Sequence, residues 1–151
     1  LAMTLVRFLL KNTHGDILPL LALYTGAGAI LGHNFPFYLH FKGGKGIACT
    51  AGLIIFFHPY MILPEVITFF GTFFLTHYVS LGSLLVQIVL IAEMIIFGQM
   101  GLFGMSQGAL IELYIVTTLL AMLAFWEHRA NIDRLIHKTE RKTYLSKKNE
   151  E

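Results

Sequence analysis

The sequence predicts an all-α protein: a polytopic transmembrane helical bundle with short, interrupted helices around a cytoplasm-facing site. Of the 151 residues, 56% are hydrophobic and 13% are charged, and the mean hydropathy is +0.68. A water-facing domain carries about a quarter charged residues. Long uncharged stretches separated by short polar clusters complete the pattern. These observations together predict a membrane protein.

Charge and cysteine content exclude several functional classes. Eleven Lys and Arg against nine Asp and Glu give a net charge of +2, so we expect no nucleic-acid partner. Cys49 is the single cysteine, which excludes an internal disulfide and the usual zinc frameworks. We expect no cofactor and no metal.

The chain begins with an apolar run, residues 1–10, that lacks the features of a signal peptide. We expect this run to be the end of a partial helix, and an N-terminal truncation to explain it. A short natural protein is the alternative. We then expect residues 1–151 to form one integral membrane domain that is incomplete at its N-terminus.

Five further stretches are long and apolar enough to be predicted as spans: 17–31, 47–57, 60–76, 84–97 and 109–125. The stretch 47–76 is too long for one crossing at about 1.5 Å per residue, and His58-Pro59 divides it. The resulting short spans are expected to tilt or to surround a water-accessible cavity. Gly26 and Gly28 are expected to let helices approach closely.

Residues 127–151 form a basic segment that the positive-inside rule assigns to the cytoplasm. Four predicted crossings separate it from the loop at residues 42–45, which places that loop on the same side. The interruption predicted at residues 78–83 falls on this side as well. Three polar segments are therefore expected to share one face of the membrane.

The loop Lys42-Gly43-Gly44-Lys45-Gly46 stands directly before an apolar helix. Two ammonium groups and unhindered backbone amides at a helix N-terminus suit a phosphate group. The nucleotide-binding P-loop pattern does not fit, because Leu39 stands where its first glycine belongs and Gly46 stands where Ser or Thr belongs. The alternative is a basic loop that contacts lipid headgroups.

The wider segment 32–48 resembles the second signature of the PlsY family, bacterial membrane glycerol-3-phosphate acyltransferases that use acyl phosphate as donor. It reads Gly-His-Asn-Phe-Pro, an apolar run, then Phe-Lys-Gly-Gly-Lys-Gly. The resemblance continues at Tyr-Val-Ser-Leu-Gly-Ser, residues 78–83. It returns at His-Arg-Ala-Asn-Ile-Asp-Arg-Leu-Ile, residues 128–136, with Thr139-Glu140 following.

The resemblance implies transfer of an acyl group from acyl phosphate to the 1-hydroxyl of glycerol 3-phosphate, in the bacterial inner membrane. The implied products are 1-acylglycerol 3-phosphate and phosphate, and the implied partners are both substrates and membrane lipid. The implied catalytic residues are His33, Lys45, His128 and Asn131. The implied phosphate-binding residues are Lys42, Gly43, Gly44, Gly46, Ser80, Ser83, Arg129 and Arg134.

The sequence departs from the family pattern at several points. The family's first signature, Ser-Gly-Asn, any residue, Gly-Ala-Thr-Asn, is not among these residues, so we expect residues 1–151 alone to be inactive. Ala130 replaces a usual Glu, Lys138 a usual Gly, and His77 a common Arg. The change at Ala130 removes a carboxylate, so any role of that side chain does not carry over.

Each candidate residue also has a structural interpretation. His33 can cap a helix, whereas His128 and Asn131, three apart, share a helical face suited to a substrate. Ser80 and Ser83 can hydrogen-bond a neighbouring helix instead. Three acidic residues in apolar stretches are expected to make interhelical hydrogen bonds: Glu65, Glu93 and Glu112.

Two other functions remain open from the sequence. A non-enzymatic anion-binding or transport protein also places phosphate-binding loops between broken spans. An inactive remnant of the acyltransferase fold would keep the helices and lose catalysis.

Overall fold

A computed structural model describes residues 2–10 and 15–144, which form α-helices joined by turns and short 3₁₀ helices, with no β-strand among them. The α-helices are α1 (Ala2–Leu10), α2 (Leu18–Asn34), α3 (Ile47–Phe57), α4 (Ile62–Thr76), α5 (Val79–Gln99), α6 (Gln107–Glu127) and α7 (Arg129–Ile136). The prediction of an all-α bundle is confirmed. Residues 145–151 of the predicted basic tail lie outside the described residues.

Four helical segments are long and apolar enough to cross a bilayer: Gly15–Leu39, Pro59–Thr76, Val79–Gln99 and Gln107–Glu127. The predicted short span 47–57 is α3, which has 11 residues. At about 1.5 Å per residue it reaches roughly halfway through a hydrocarbon core of about 30 Å. Large apolar side chains on the outer face of α4 are exposed and suited to lipid, including Leu63, Ile67, Phe74 and Leu75.

The break at His58-Pro59 is confirmed. His58 has an extended backbone, with φ −152° and ψ 133°, and Pro59 opens a 3₁₀ turn that leads into α4. Proline lacks the amide hydrogen that would continue α3, and it disfavours helical geometry at the residue before it. One apolar stretch therefore forms two helices.

The predicted interruption at residues 78–83 is shorter in the structure, because α5 begins at Val79. Ser83 Oγ donates to the Val79 carbonyl oxygen at 3.0 Å, so this hydroxyl is satisfied inside the helix. The sequence-based span 84–97 therefore missed the first turn and more of α5. Both signature serines lie on a helix and not in a loop.

The interior is closely packed where α2 meets α3. Leu23 and Leu53 are almost fully buried. A Cβ atom at Gly26 would lie 2.5 Å from Leu53 Cδ1, so only glycine permits this approach. No atom lies within 4 Å of a Cβ at Gly28. The prediction of tight packing is confirmed for Gly26 and wrong for Gly28.

Three polar segments meet at one end of the bundle. Lys45, before α3, donates to Asn131 on α7. Ser80, in the first turn of α5, donates to Glu140, which follows α7. The prediction that these segments share one face is confirmed by these contacts.

Candidate active site

A pocket of about 510 Å³ opens where the polar segments meet. Its walls come from the loop before α3, the first turn of α5, the start of α7 and the chain that follows α7. The lining residues are Lys45, Ile47, Val79, Ser80, Ser83, His128, Asn131, Arg134, Glu140, Arg141 and Thr143. Six of the residues predicted for the site are among them: Lys45, Ser80, Ser83, His128, Asn131 and Arg134.

A continuous hydrogen-bond network runs across the pocket. Lys45 Nζ donates to Asn131 Oδ1 at 2.5 Å, and Asn131 Nδ2 donates to Glu140 Oε1 at 2.7 Å. The Asn131 amide therefore has a fixed orientation, with its oxygen toward the ammonium group and its nitrogen toward the carboxylate. Residues 86 positions apart in the sequence are joined in one site.

His128 is held in the orientation a base requires. The residue is 3% exposed, and its Nδ1 lies 2.8 Å from the Ala124 carbonyl oxygen. A carbonyl only accepts hydrogen bonds, so Nδ1 carries the hydrogen and the neutral ring has its lone pair on Nε2. Burial lowers the pKa of His128 below the usual histidine value, and the nearby charge of Lys45 acts in the same direction. The ring is therefore neutral, and the lone pair of Nε2 is available to accept a proton.

The predicted pairing of His128 with Asn131 on one helical face is confirmed. Both side chains are buried and both line the pocket. The alternative, in which His128 has a capping role, also applies in part, since its Nδ1 bonds to the last turn of α6. That bond uses one ring nitrogen and leaves the other for a ligand.

The glycines of the loop differ from their predicted role. The Gly43 amide donates to the Asn34 carbonyl oxygen at 3.1 Å and the Gly44 amide to the His33 carbonyl oxygen at 3.2 Å. These two amides are therefore not free to bind a phosphate. A Cβ at Gly43 would lie 2.0 Å from the His33 oxygen, so close backbone contact requires this glycine. Gly46 is buried and has a φ of +76°, a left-handed conformation that favours glycine.

Three other predicted residues lie outside the pocket lining. His33 is exposed, and its Nε2 would be 2.2 Å from a Cβ at Gly44, so its ring covers the loop. Lys42 is exposed and does not line the pocket. Arg129 Nη1 donates to the Trp126 carbonyl oxygen at 2.9 Å, and its guanidinium lies 4.9 Å from the centre of the Trp126 ring. The Arg129 side chain lies away from the pocket because the residue after His128 falls on another face of the helix.

Glu140 lies at the centre of the network, whereas the sequence placed it only in the third-signature resemblance and gave it no role in the site. Glu140 Oε1 accepts from Ser80 Oγ at 2.8 Å as well as from Asn131, and Glu140 Oε2 accepts from Arg134 Nε at 2.6 Å. Burial acts to raise the pKa of Glu140, but the hydrogen bonds from Asn131, Ser80 and Arg134 outweigh it and hold the pKa below its usual range. The available signal was the continuation of the third signature at Thr139-Glu140 within a basic segment.

The chain after α7 folds back toward the start of α5. Lys138 has a φ of +58°, which explains why the family pattern has glycine at this position. The Thr143 amide then donates to the His77 carbonyl oxygen at 2.9 Å, and the Tyr144 ring lies 4.6 Å from that of His77. This return carries Glu140 into the pocket.

An apolar groove of about 460 Å³ lies beside α6 and ends at Arg129. Its lining residues are Ile91, Thr118, Ala121, Met122, Phe125, Trp126 and Arg129. Ile91 is eleven residues after Ser80, three helical turns, so both lie on the same face of α5 about 16 Å apart. The groove therefore lies deeper in the bundle than the polar pocket, along a shared helix face.

Comparison with known proteins gives a consistent result. The model of the family described as glycerol-3-phosphate acyltransferase matches residues 1–138. Glycerol-3-phosphate acyltransferase 2 of Bacillus cereus is 34% identical over 147 residues, covering 93% of this chain and 68% of the relative. The glycerol-3-phosphate acyltransferase of Bacillus subtilis (strain 168) is 39% identical over 132 residues, covering 85% and 60%.

A solved structure is also similar. The crystal structure of PlsY, an integral membrane glycerol 3-phosphate acyltransferase in its glycerol 3-phosphate form, has a TM-score of 0.71 and 26% sequence identity. The match covers 89% of this chain and 62% of that structure. The lysophosphatidic acid form of the same protein has a TM-score of 0.70. This chain thus spans roughly three fifths to two thirds of the proteins it matches.

Proposed function

Because this chain belongs to the glycerol-3-phosphate acyltransferase family, we propose that it transfers an acyl group from acyl phosphate to the 1-hydroxyl of glycerol 3-phosphate. The observation that carries this proposal is the meeting of Lys45, His128 and Asn131 in one pocket. These residues come from two separate signatures. Their convergence supports a site that binds a charged substrate beside a base.

Lys45, Ser80 and Arg134 bind the phosphate groups in this proposal. An ammonium group, a hydroxyl and a guanidinium make charge-assisted or neutral hydrogen bonds to phosphate oxygens. Asn131 holds the Lys45 ammonium in place through its side-chain oxygen. Arg141, which lines the same pocket, binds the second phosphate in this proposal.

His128 Nε2 takes the proton of the reacting hydroxyl. The oxygen of glycerol 3-phosphate then attacks the acyl carbon, the bond from that carbon to the phosphate oxygen breaks, and phosphate leaves with the bonding electrons. A mixed anhydride has a good leaving group, so positioning and electrostatic stabilisation suffice without a covalent intermediate on the protein. The neutral state and fixed tautomer of His128 support this role.

The apolar groove along α6 holds the acyl chain. Its lining is almost entirely apolar, and it lies on the same α5 face as Ser80. A chain bound there buries its methylene groups while its carbonyl end reaches toward the polar pocket. Arg129 and Trp126 stand at the groove's end, where an amphipathic pair suits the membrane interface.

Residues 1–151 act as one domain of the bacterial inner membrane in this proposal, with the chain after α6 in the cytoplasm. The excess of Lys and Arg in residues 129–148 supports this orientation. Single cysteines at Lys42 and Ser80 in a Cys49→Ser background test it in intact cells. We expect an impermeant thiol reagent to leave both unlabelled until the membrane is opened. Labelling of either from outside contradicts the orientation.

The activity is tested on reconstituted vesicles that contain the chain extended upstream by a segment with the family's first signature, because residues 1–151 alone are expected to be inactive. We expect phosphate release from acyl phosphate to depend on glycerol 3-phosphate and to match the lysophosphatidic acid formed. A long-chain acyl thioester at the same concentration is the control donor, and we expect no product from it. Equal use of the thioester contradicts the proposed donor, and the absence of lysophosphatidic acid with either donor contradicts the acyltransferase function.

A further inference from the structure

An exposed aromatic loop follows α2, and the proposed reaction does not use it. This aromatic loop, residues 35–42, carries four large apolar side chains on its surface: Phe37, Tyr38, Leu39 and Phe41. We propose that the loop lies in the lipid–water interface of a bilayer that contains anionic phospholipid. Its apolar side chains insert among the upper acyl chains, and the Lys42 ammonium group binds a lipid phosphate. The inference goes beyond the proposed function and does not require catalysis.

The apolar side chains of the aromatic loop form one exposed patch. Phe37 and Tyr38 are 78% and 71% exposed, and Phe41 is 66% exposed. The rings of Phe37 and Tyr38 pack edge to face with their centroids 5.5 Å apart, so the patch is contiguous. Contiguous apolar patches mark a contact with a membrane or with another protein. The patch is therefore suited to an apolar environment outside the chain.

The backbone of the aromatic loop holds this patch in a fixed shape. The Phe41 amide donates to the Pro36 carbonyl oxygen at 3.0 Å, and the Lys42 amide donates to the Leu39 carbonyl oxygen at 3.1 Å. His40 and Phe41 have φ values of 52° and 59°, a left-handed conformation that is unfavourable for residues with a side chain. Backbone strain of this kind concentrates at functional sites. Burial of Phe41 within the chain does not offset the strain, because its side chain is exposed.

The position of the aromatic loop matches the edge of a bilayer. The candidate span Gly15–Leu39 ends within the loop, so the loop lies where this span leaves the hydrocarbon core. Trp126 is exposed in the last turn of α6. It lies at the same end of the bundle, because Lys45 is bonded to Asn131 there. Tyr and Trp are enriched at the lipid–water interface, so Tyr38 and Trp126 support an interface at this end.

The two lysines of the glycine-rich loop have different surroundings. Lys45 lines the polar pocket and donates to Asn131. Lys42 is exposed and does not line the pocket. No carboxylate among residues 2–10 and 15–144 forms an ion pair with it. An ammonium group beside an apolar patch suits a phospholipid, which has a phosphate and acyl chains in one molecule. Inorganic phosphate would use the charge and leave the patch in water.

Fluorescence quenching by brominated lipids tests the insertion. Phe37→Trp in a Trp126→Phe background gives one fluorophore, since Trp126 is the single tryptophan. Tyr38→Trp in the same background gives a second one. In reconstituted vesicles we expect each to lie about 5 to 10 Å below the headgroup boundary. Lipids brominated near the headgroup should therefore quench it more strongly than lipids brominated near the chain end. Stronger quenching from the chain end, or none from either lipid, overturns the proposal.

Ile115→Trp in the same background is the matched control for depth. Ile115 is exposed near the middle of α6, so we expect the opposite order of quenching there. The same order at Ile115 and at Phe37 shows that the lipids do not resolve depth at the loop, and it overturns the assignment of Phe37 to the interface.

The Phe37→Trp fluorophore also measures lipid selectivity. Brominated phosphatidylglycerol and brominated phosphatidylcholine are each mixed with unlabelled lipid, and the ratio of their quenching gives a relative affinity. We expect a preference of about fivefold for the anionic lipid, because one lysine near a membrane surface contributes about 1 kcal/mol. Lys42→Gln is expected to abolish the preference, and Lys42→Arg to retain it. Lys142→Gln is the matched control, since Lys142 is an exposed lysine outside the aromatic loop, and we expect it to leave the preference unchanged.

The remaining outcomes contradict the proposal in distinguishable ways. Unchanged selectivity in Lys42→Gln removes the lipid phosphate site. An equal loss in Lys142→Gln shows a general effect of surface charge. Loss of quenching in a chain extended upstream by the family's first signature shows that the upstream segment covers the aromatic loop instead of lipid. None of these measurements uses turnover, so failure of the acyltransferase function does not affect them.

Discussion

The polar groups at the end of the bundle and those in its interior are satisfied in different ways. In the pocket, Asn131 bonds directly to both Lys45 and Glu140. In the interior, the Gln87 amide nitrogen and the Thr117 hydroxyl are buried without a hydrogen-bond partner among the described residues. Unpaired buried polar groups cost free energy, while paired ones fix a geometry. The pocket therefore has a fixed arrangement of polar groups, which suits the charged ligand proposed for it.

The interior acids show the same contrast. Glu65 on α4 and Glu93 on α5 are 4% and 5% exposed, and none of their four carboxyl oxygens has a hydrogen-bond partner among the described residues. Two carboxylates are both acceptors, so the pair can bond only when one carries a proton. Glu112 instead accepts from the Tyr24 hydroxyl across α2 and α6. The predicted interhelical bond is confirmed for Glu112 and is wrong for Glu65 and Glu93, whose carboxyl oxygens have no partner among the described residues.

The largest effect is expected in the pocket, at His128. In the chain extended by the first signature, His128→Asn removes the proposed base and is expected to lower kcat/KM by roughly 10²- to 10⁴-fold. His137→Asn is the control, since His137 is exposed on the same short segment and outside the pocket lining. Because burial lowers the pKa of His128, the neutral base persists as pH falls, and activity should decline only below the usual histidine value of 6.5. A loss of less than twofold in His128→Asn excludes the base.

In the interior, a smaller effect on stability is expected at Glu65. When Glu65 and Glu93 share a proton, Glu65→Ala removes the acid beside Glu93 that can do so, which costs about 1 to 3 kcal/mol. Glu65→Gln keeps an amide donor for Glu93 and is expected to cost less than about 0.5 kcal/mol. Thermal unfolding in one detergent measures both. Equal melting temperatures for the two variants contradict the pairing.

The glycines of α2 test how tightly the interior is packed. Gly26→Ala is expected to destabilise the protein by about 1 to 2 kcal/mol, because Leu53 is buried and cannot move aside freely. Gly28→Ala meets open space and is expected to raise stability by up to about 1 kcal/mol. The comparison makes the same chemical change at two positions of α2 that are two residues apart, only one of which contacts Leu53. Equal effects at both positions would falsify the α2 to α3 contact.

The smallest effect is expected at the turn that returns Glu140 to the pocket. Lys138→Gly relieves a left-handed conformation and is expected to stabilise the protein by about 1 kcal/mol. His137→Gly is the control, because His137 has a φ of −84° and gains nothing from glycine. Its expected effect is neutral or destabilising. A lower melting temperature for Lys138→Gly contradicts the turn geometry.

The sequence predicted the helices well because apolar runs and proline breaks are local signals. The break at His58-Pro59 follows from such a signal, and the meeting of the polar segments at one end of the bundle agrees with the predicted order of spans and loops. The start of α5 was misplaced by five residues, since polar residues in a first turn resemble a loop. Intrahelical bonding of Ser83 to Val79 resolves that ambiguity only in three dimensions.

The site was predicted less completely, because a signature gives residue types but not their partners. Lys45, His128 and Asn131 were identified from their motifs and do line the pocket. The Gly43 and Gly44 amides were misassigned because their acceptors are carbonyl oxygens of the preceding helix end. Glu140 was given no role because its donors lie on α5 and α7, and no local pattern brings them together.

The central claim is that the loop before α3 and the start of α7 form one site. A double-mutant cycle with Lys45→Ala and Asn131→Ala in the chain extended by the first signature tests it most directly, with kcat/KM for phosphate release as the readout. The two side chains bond directly, so we expect a coupling energy of about 1 to 3 kcal/mol. Lys45→Ala with His137→Ala is the control pair and should be additive. Additivity of Lys45 and Asn131 within about 0.3 kcal/mol contradicts a shared site.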